Sequence, residues 1–241
     1  MEKEFEVLAD IRDRIEVFEE FGYDIDNDCD DAIYDALDDV FSHHKVIYAK
    51  GVSKMCLIPE DTNWVLKVPF EGFIEYFYDE DESEAHEEFV HNEGAHNSKN
   101  NWDYCLSEVE YCEIAKDYGV GEFFAEARCF GNCSNGIYKT LPAYIQEKCV
   151  TYSEIGWEDE KYKPSEDSIK IVNSSDKYRY KSFQLDWIAS AIDFYGEEKV
   201  DELFRFLNEH SEINGDFHSG NYGYRASDNS PVLIDYTGWH D

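Results

Sequence analysis

The chain has 241 residues, of which 42% are hydrophobic and 16% are aromatic. That content supplies the cores of one large domain or two small ones, so disorder of the whole chain is excluded. Asp and Glu outnumber Lys and Arg by 55 to 21, for a formal net charge of −34. A surface this negative repels nucleic-acid phosphates and anionic lipid headgroups, so we expect no direct nucleic-acid binding and no membrane partner. Attraction to basic partners stays open.

The lack of targeting signals and the spacing of the cysteines predict the cellular location. No apolar stretch approaches the roughly 20 residues of a membrane span, and the sequence MEKEFEVLADIRDR lacks the apolar core of a signal peptide. We therefore predict a soluble, cytoplasmic protein. Seven cysteines lack the spacing of a disulfide framework, which predicts reduced thiols. Cys129 and Cys133 have the spacing of half a zinc site, but a turn at Gly131-Asn132 is the favoured interpretation.

Residues 1–45 predict an N-terminal helical extension. Apolar residues recur at helical spacing in residues 1–21 and again over Asp31–Phe41. The acidic segment between these stretches has carboxylates at the first, third and fifth positions of a calcium-binding loop, namely Asp24, Asp26 and Asp28. Cys29 replaces the required glycine, so an acidic helix start is favoured and a calcium site is the weaker alternative.

Residues 46–147 predict a strand-rich unit. Val46–Phe70 is rich in β-branched and aromatic residues and is broken by turn residues, the pattern of an antiparallel meander. Residues 75–101 are acidic and polar, which predicts an exposed insertion that is helical in part. A helix that ends at Gly119 follows, and then two strand-like segments, FFAEARCF and LPAYIQEKCV.

Residues 148–241 predict a helical unit that ends in a loop and a strand. Helical patterns cover Phe183–Tyr195 and Glu197–Asn208, and the strand pattern covers Pro231–Asp235. Helices, then strands with one helix, then helices again predict an α+β protein of two lobes.

The segment INGDFHSGNYGY contains the most specific motif. Asp216 and Asn221 have the five-residue separation of the kinase catalytic loop, and Asp235 follows 14 residues later, after an apolar triplet. Phosphoryl transfer requires a carboxylate that orients the attacking hydroxyl, together with oxygen ligands that hold Mg²⁺ against the triphosphate. Asp216 is therefore the candidate catalytic residue, and Asn221 and Asp235 are the candidate metal ligands.

An upstream strand and helix match the same order of motifs. Lys67 lies in the apolar run WVLKV, which resembles the kinase strand whose lysine binds the α- and β-phosphates. The alternative for Lys67 is an edge-strand lysine that points to solvent. Glu108 on the next helix is the candidate partner of Lys67, in preference to Glu110 and Glu113.

Together these residues resemble the protein-kinase-like superfamily, in a short, divergent form similar to phage-encoded and bacterial kinase-like proteins. The loop GDFHSGN and the sequence Ile234-Asp235-Tyr236 resemble aminoglycoside and other small-molecule phosphotransferases more than eukaryotic protein kinases. The resemblance implies a two-lobed kinase-like fold. It also implies ATP and Mg²⁺ as cofactors, and a protein or small-molecule hydroxyl as the phosphate acceptor.

The resemblance assigns further ATP-binding groups. Backbone groups of Glu147 and Cys149 would bond adenine, although the same pattern also fits an ordinary strand end. Phosphate cover would come from the loop residues Gly51, Ser53 and Lys54, where a kinase has three glycines and this chain has one.

The sequence also departs from the kinase pattern after Asp235. Six residues follow Asp235, so we expect a truncated C-terminal lobe without the segment that presents peptides in kinases. The alternative function is a catalytically weak kinase-like protein whose acidic surface binds a basic partner or mimics nucleic acid.

Overall fold

The computed structural model describes residues 2–16, 31–50, 54–69, 72–78, 85–91, 101–133, 141–155, 159–179, 183–210 and 217–236. The chain forms two compact units: Met1–Leu106 with Arg128–Gln146, and Ser107–Ala127 with Glu147–Asp241. Both helices and antiparallel strands are present, which confirms the mixed α and β class. None of the described helices is long and apolar enough to cross a membrane.

Among the described residues, the first unit contains the helices α1 and α2 and most of the strands. Their bounds are α1 Glu2–Arg14, α2 Asp31–His43, β1 Val46–Lys50, β2 Lys54–Pro59, β3 Trp64–Pro69, β4 Gly72–Tyr78, β5 Ala85–His91, β6 Ala127–Cys133 and β7 Leu141–Glu147. Five strands form a sheet in the order β1-β2-β3-β7-β6. The strands β1, β2 and β3 pair antiparallel in sequence, which confirms the predicted meander.

The strands β4 and β5 correct one prediction. They pair antiparallel along their whole lengths, so residues 75–78 and 85–91 of the predicted insertion form strands and not helix, while residues 79–84 and 92–100 lie outside the described residues. Acidic composition predicted solvent exposure, but it does not oppose strand formation. The β-prone sequence GFIEYFY of β4 decides the local structure when a partner strand is available.

Side-chain alternation places one face of the sheet in the core of the first unit. Met55 and Leu57 on β2 and Leu66 and Val68 on β3 are fully buried, and register pairs them across the two strands. Apolar side chains of α1 and α2 join this core, among them Leu8, Ile11, Leu37 and Val40. The side chains at the alternate positions of β2 and β3, such as Lys54 and Lys67, therefore lie on the opposite face of the sheet.

The second unit is mainly helical. Its elements are α3 Asn101–Tyr118, of which residues from Ser107 belong here, β8 Cys149–Thr151, α4 Glu166–Ser174, α5 Leu185–Tyr195, α6 Glu197–Glu209, β9 Tyr222–Arg225 and β10 Pro231–Leu233. Gly119 has a φ of 95° and ends α3 as predicted. The helices α5 and α6 are confirmed. The helix α4 was not predicted, because it has nine residues and only a short apolar stripe.

The sheet of the second unit is attached to α5 through Trp187. The strands lie in the order β10-β9-β8. Trp187 is fully buried, and its indole Nε1 donates to the carbonyl of Gly223 on β9 at 3.0 Å. A Cβ atom at position 223 would lie 2.0 Å from the carbonyl oxygen of Val150 on β8, so the strand pairing requires glycine there. These contacts fix the hairpin that contains the predicted metal ligands.

Candidate functional site

Two buried lysines lie on one face of the sheet in the first unit. Cys56 is opposite Lys67 in the β2–β3 register and Lys54 is opposite Pro69, so the two lysines are diagonal neighbours on the face away from the core. Lys54 is 3% exposed and Lys67 is 4% exposed. The strand β3 lies between β2 and β7. The alternative of a solvent-facing edge-strand lysine is therefore wrong for Lys67.

The surroundings of Lys67 suit an anionic ligand. Its Nζ lies 5.7 Å from the ring centroid of the buried Tyr144 on β7, within the range of a cation–π contact. Burial of ammonium groups costs free energy unless anionic or polar groups surround them. We call Lys54, Lys67 and Tyr144 the lysine face. In a protein with a net charge of −34, two buried lysines on one face of a sheet are an unusual local concentration of basic groups.

Glu108 lies on α3 in the second unit and is fully buried. Its helix neighbours Glu110 and Glu113 are exposed. A buried carboxylate requires compensating groups, whereas an exposed one is solvated by water. Burial thus distinguishes Glu108 from the other two glutamates, and its pairing with Lys67 stays a prediction.

The predicted adenine-binding segment leads into β8. The backbone N–H of Glu147 donates to the carbonyl of Glu126 at 2.9 Å, which leaves the Glu147 carbonyl as the group that could meet an adenine amine. That carbonyl accepts a weak bond from Cys149 Sγ at 3.4 Å. Ala226 N–H donates to the Lys148 carbonyl. Because ladder bonds alternate along antiparallel strands, the backbone N–H of Cys149 points away from β9, the orientation that the predicted role requires.

The β9–β10 hairpin brings the two predicted metal ligands to one end of the sheet. Tyr222 is opposite Leu233 in the register, and Ile234 N–H donates to the Asn221 carbonyl at 2.8 Å. Asn221 thus directly precedes β9, and Asp235 follows β10 by two residues at the same end. Asn221 is 7% exposed and Asp235 is partly exposed. An amide oxygen and a carboxylate at one end of a rigid hairpin can contribute two ligands to a cation.

The backbone at Asp235 is held in an uncommon conformation. Its φ is 52°, in the left-handed region that few non-glycine residues adopt. The next residue, Tyr236, is 1% exposed, and its hydroxyl lies 3.0 Å from the carbonyl oxygen of Glu108 and 3.2 Å from that of Ala125. Local strain persists when the surrounding contacts over-determine it, and such strain is often found at ligand-binding residues. Anchoring of Tyr236 therefore sets the position of the Asp235 carboxylate.

The loop before Asn221 is also fixed by specific contacts. Phe217 is buried, with its ring 4.9 Å from that of Phe183. His218 Nδ1 accepts from Gly220 N–H at 3.0 Å, and the His218 carbonyl accepts from Asn221 N–H at 2.8 Å. The loop residues that lead to Asn221 therefore have a defined turn.

Removal of the Tyr236 hydroxyl should weaken the fold of the second unit. Tyr236→Phe leaves the ring in place but removes the single hydroxyl hydrogen that the two buried carbonyls share, so we expect a loss of about 1–2 kcal/mol in the free energy of unfolding. Urea denaturation measures this loss. Tyr118→Phe is the control, because the Tyr118 hydroxyl bonds Glu209 at the surface. Equal losses in both variants would contradict an anchoring role for Tyr236.

Arg225 is a connecting residue that the sequence analysis did not identify. Its guanidinium donates to the Glu147 carboxylate, the Glu122 and Phe124 carbonyls, and the hydroxyls of Tyr195 and Ser230, over 2.8–3.2 Å. Although burial alone lowers the pKa of Arg225, the bonded Glu147 carboxylate reverses this effect and raises the pKa above its usual value. Arg225 joins the β9–β10 hairpin to the predicted adenine-binding segment within the second unit.

Replacement of Arg225 should be severely destabilising. Arg225→Ala leaves the Glu147 carboxylate without its cation and several carbonyls without donors, so we expect a loss of about 3–5 kcal/mol. Arg225→Lys should recover only part of the lost stability, because an ammonium group cannot reproduce the planar hydrogen-bonding geometry of the guanidinium group. Arg179→Ala is the control, since Arg179 is 72% exposed and forms a surface ion pair with Asp176. Thermal and urea unfolding that leave Arg225→Ala as stable as the control would contradict this role.

Several sequence predictions lie outside the described residues. These are the catalytic Asp216, the loop residues Gly51 and Ser53, and the calcium-loop residues Asp24, Asp26, Asp28 and Cys29. The turn predicted at Gly131-Asn132 is wrong, because both residues lie within β6, where Gly131 accommodates a φ of 78°. Burial raises the pKa of the Cys133 thiol to about 12, while Cys129 is exposed. Across the described part of the chain, no cluster of three or more His, Cys, Asp or Glu side chains could hold a metal ion.

Comparison with known proteins gives no family assignment. No protein-family model matches the chain, and no curated protein matches it significantly. Function must therefore be argued from the residues and their geometry.

Proposed function

We propose that the protein is an ATP- and Mg²⁺-dependent phosphotransferase of the protein-kinase-like superfamily. It transfers the γ-phosphate to a hydroxyl group of a protein or small-molecule acceptor. The observation that carries the proposal is the lysine face, where Lys54 and Lys67 are buried side by side in a strongly acidic protein. Positive charge concentrated in this way favours a ligand that carries several negative charges, such as a triphosphate.

Each candidate residue has a distinct role in this proposal. Lys54 and Lys67 bind the phosphate oxygens, and the amides of Gly51 and Ser53 cover them. Backbone groups of Glu147 and Cys149 bond adenine, and Glu108 orients Lys67 as its ion-pair partner. Asp216 orients the acceptor hydroxyl and accepts its proton as the phosphorus–oxygen bond forms.

Asn221 and Asp235 fit a magnesium site. Mg²⁺ takes oxygen ligands and is commonly held by one or two carboxylates together with substrate phosphates and water. An amide oxygen and a carboxylate at one end of the β9–β10 hairpin provide such a partial set, and the fixed backbone of Asp235 favours a rigid ligand. Bound Mg²⁺ would neutralise charge on the phosphate oxygens.

The Asp216→Asn variant tests the proposed chemistry. We expect ATP affinity in the presence of Mg²⁺ to be nearly unchanged, because Asp216 acts on the acceptor, and turnover to fall about 10²–10⁴-fold. Calorimetry measures affinity. Release or transfer of label from γ-³²P-ATP measures turnover, with the protein alone and with a cell extract as the source of acceptors.

The outcomes of this experiment separate the two functions. Turnover that is unchanged in Asp216→Asn removes Asp216 from the mechanism. ATP binding without turnover by the native chain identifies the catalytically weak acidic protein instead. Absence of Mg²⁺-dependent ATP binding contradicts both kinase-like functions.

A further inference from the structure

A cavity of about 340 Å³ lies within the second unit, and its lining includes Ser219 from the loop before Asn221. Its lining includes three aromatic residues, Tyr152, Tyr162 and Tyr224, and three charged ones, Asp159, Lys163 and Asp186. This volume is within the range of small-molecule sites, which combine apolar walls with a few polar groups.

Tyrosine rings form the walls of the cavity. The rings of Tyr162 and Tyr224 are 4.5 Å apart between centroids with an interplanar angle of 37°. Tyr224 is 3% exposed, and its hydroxyl donates to Ser190 Oγ at 3.1 Å, which fixes the ring. Tyr152 packs against the buried Tyr222 at 5.5 Å. The cavity therefore has aromatic walls in fixed positions, and ring faces attract cations. The Tyr162 ring already has a cation beside it, because Lys161 Nζ lies 5.0 Å from its centroid.

The charged residues that line the cavity are two aspartates and one lysine. Lys163 forms an ion pair with Glu160, so its charge is already compensated. Asp159 and Asp186 remain as two carboxylates in the lining. Burial, with a smaller contribution from the charge of Asp186, raises the pKa of Tyr152. Burial is the main cause that raises the pKa of Tyr224 to about 12, and the charge of Asp186 adds a small part of this effect.

We propose that this cavity binds an organic cation, with an alkylammonium group against the tyrosine rings and Asp186 as its counter-ion. Ring faces attract a desolvated ammonium group, and a nearby carboxylate adds to the attraction. The two carboxylates and the net charge of −34 disfavour an anionic ligand at the same position. The site requires no nucleotide, and the proposal does not depend on phosphotransfer.

A pair of matched probes tests the charge preference. The (2-hydroxyethyl)trimethylammonium ion and 3,3-dimethylbutan-1-ol have nearly the same shape and differ by one positive charge. We expect the full chain, without nucleotide, to bind the ammonium probe roughly tenfold or more tightly in calorimetric titrations. Equal affinities, or no binding of either probe, would overturn the proposal.

Variants of the lining residues locate the binding. Asp186→Asn should weaken binding of the ammonium probe roughly five- to tenfold, and Tyr152→Leu by a similar factor. Asp176→Asn is the control for charge, because Asp176 is 94% exposed and does not line the cavity. Thermal unfolding checks that each variant is folded. Full affinity in a folded Asp186→Asn variant would overturn the assignment of Asp186 as counter-ion.

Discussion

The Lys67→Met variant should lose most of its affinity for ATP and essentially all turnover while it stays folded. Methionine is an unbranched apolar side chain of similar length, so it can fill the buried position on β3. Removal of the ammonium group leaves the proposed partner Glu108 as an uncompensated buried carboxylate, which lowers stability, so thermal unfolding first establishes that the variant is folded. Each charge-assisted hydrogen bond to phosphate contributes about 1.5–3 kcal/mol, so we expect a roughly 10–100-fold loss of ATP affinity. Calorimetry with Mg²⁺ and ATP measures this change.

Two further variants make the test specific to the lysine face. Lys45→Met removes the ammonium group of a side chain that is 82% exposed. This variant should leave ATP affinity unchanged. Lys54→Met should resemble Lys67→Met, and the double variant should lose less than the sum of both effects because the two lysines share one ligand. Additive effects, or equal losses in Lys45→Met, would show that net charge and not the lysine face controls binding.

In the first unit, strand patterns predict the strands of the meander but not the register between them. The meander followed from β-branched runs and turn residues, and Lys67 was distinguished by its apolar neighbours. The proximity of Lys54 to Lys67 depends on the cross-strand register, which places Cys56 opposite Lys67. Register is set by turn geometry and by packing of the whole sheet, so no local pattern around Lys54 could reveal this pairing.

Long-range contacts explain what was missed in the second unit. The partners of Arg225 include Glu122, Glu147 and Tyr195, which are 30–103 residues away in sequence. An arginine in a strand pattern is predicted to be exposed, because arginine is rarely buried. Its burial follows only from the folding of those distant segments around it. The catalytic-loop motif, by contrast, is compact enough in sequence to predict Asn221 and Asp235 directly, and the β9–β10 register places them at one end of the hairpin.

Replacement of Asp235 should remove the Mg²⁺ dependence of nucleotide binding. Asp235→Asn keeps a side chain that tolerates the left-handed φ of 52°, so it removes the charge without adding backbone strain. We expect the ratio of ATP affinities with Mg²⁺ and with a chelator to fall about tenfold or more, because carboxylates are the preferred protein ligands of this ion. Titrations of ATP at several Mg²⁺ concentrations measure the ratio.

Two controls separate the metal from the backbone. Asp235→Gly removes the carboxylate and also relieves the strained conformation, so it should be at least as stable as the native chain. Its ATP affinity should depend on Mg²⁺ as little as that of Asp235→Asn. Asp228→Asn alters an exposed carboxylate whose Oδ1 accepts from Ser230 N–H at 2.9 Å, and it should leave the Mg²⁺ dependence intact. If Asp228→Asn reduces that dependence as much as Asp235→Asn does, the effect comes from lost surface charge. The hairpin end would then have no special affinity for the ion.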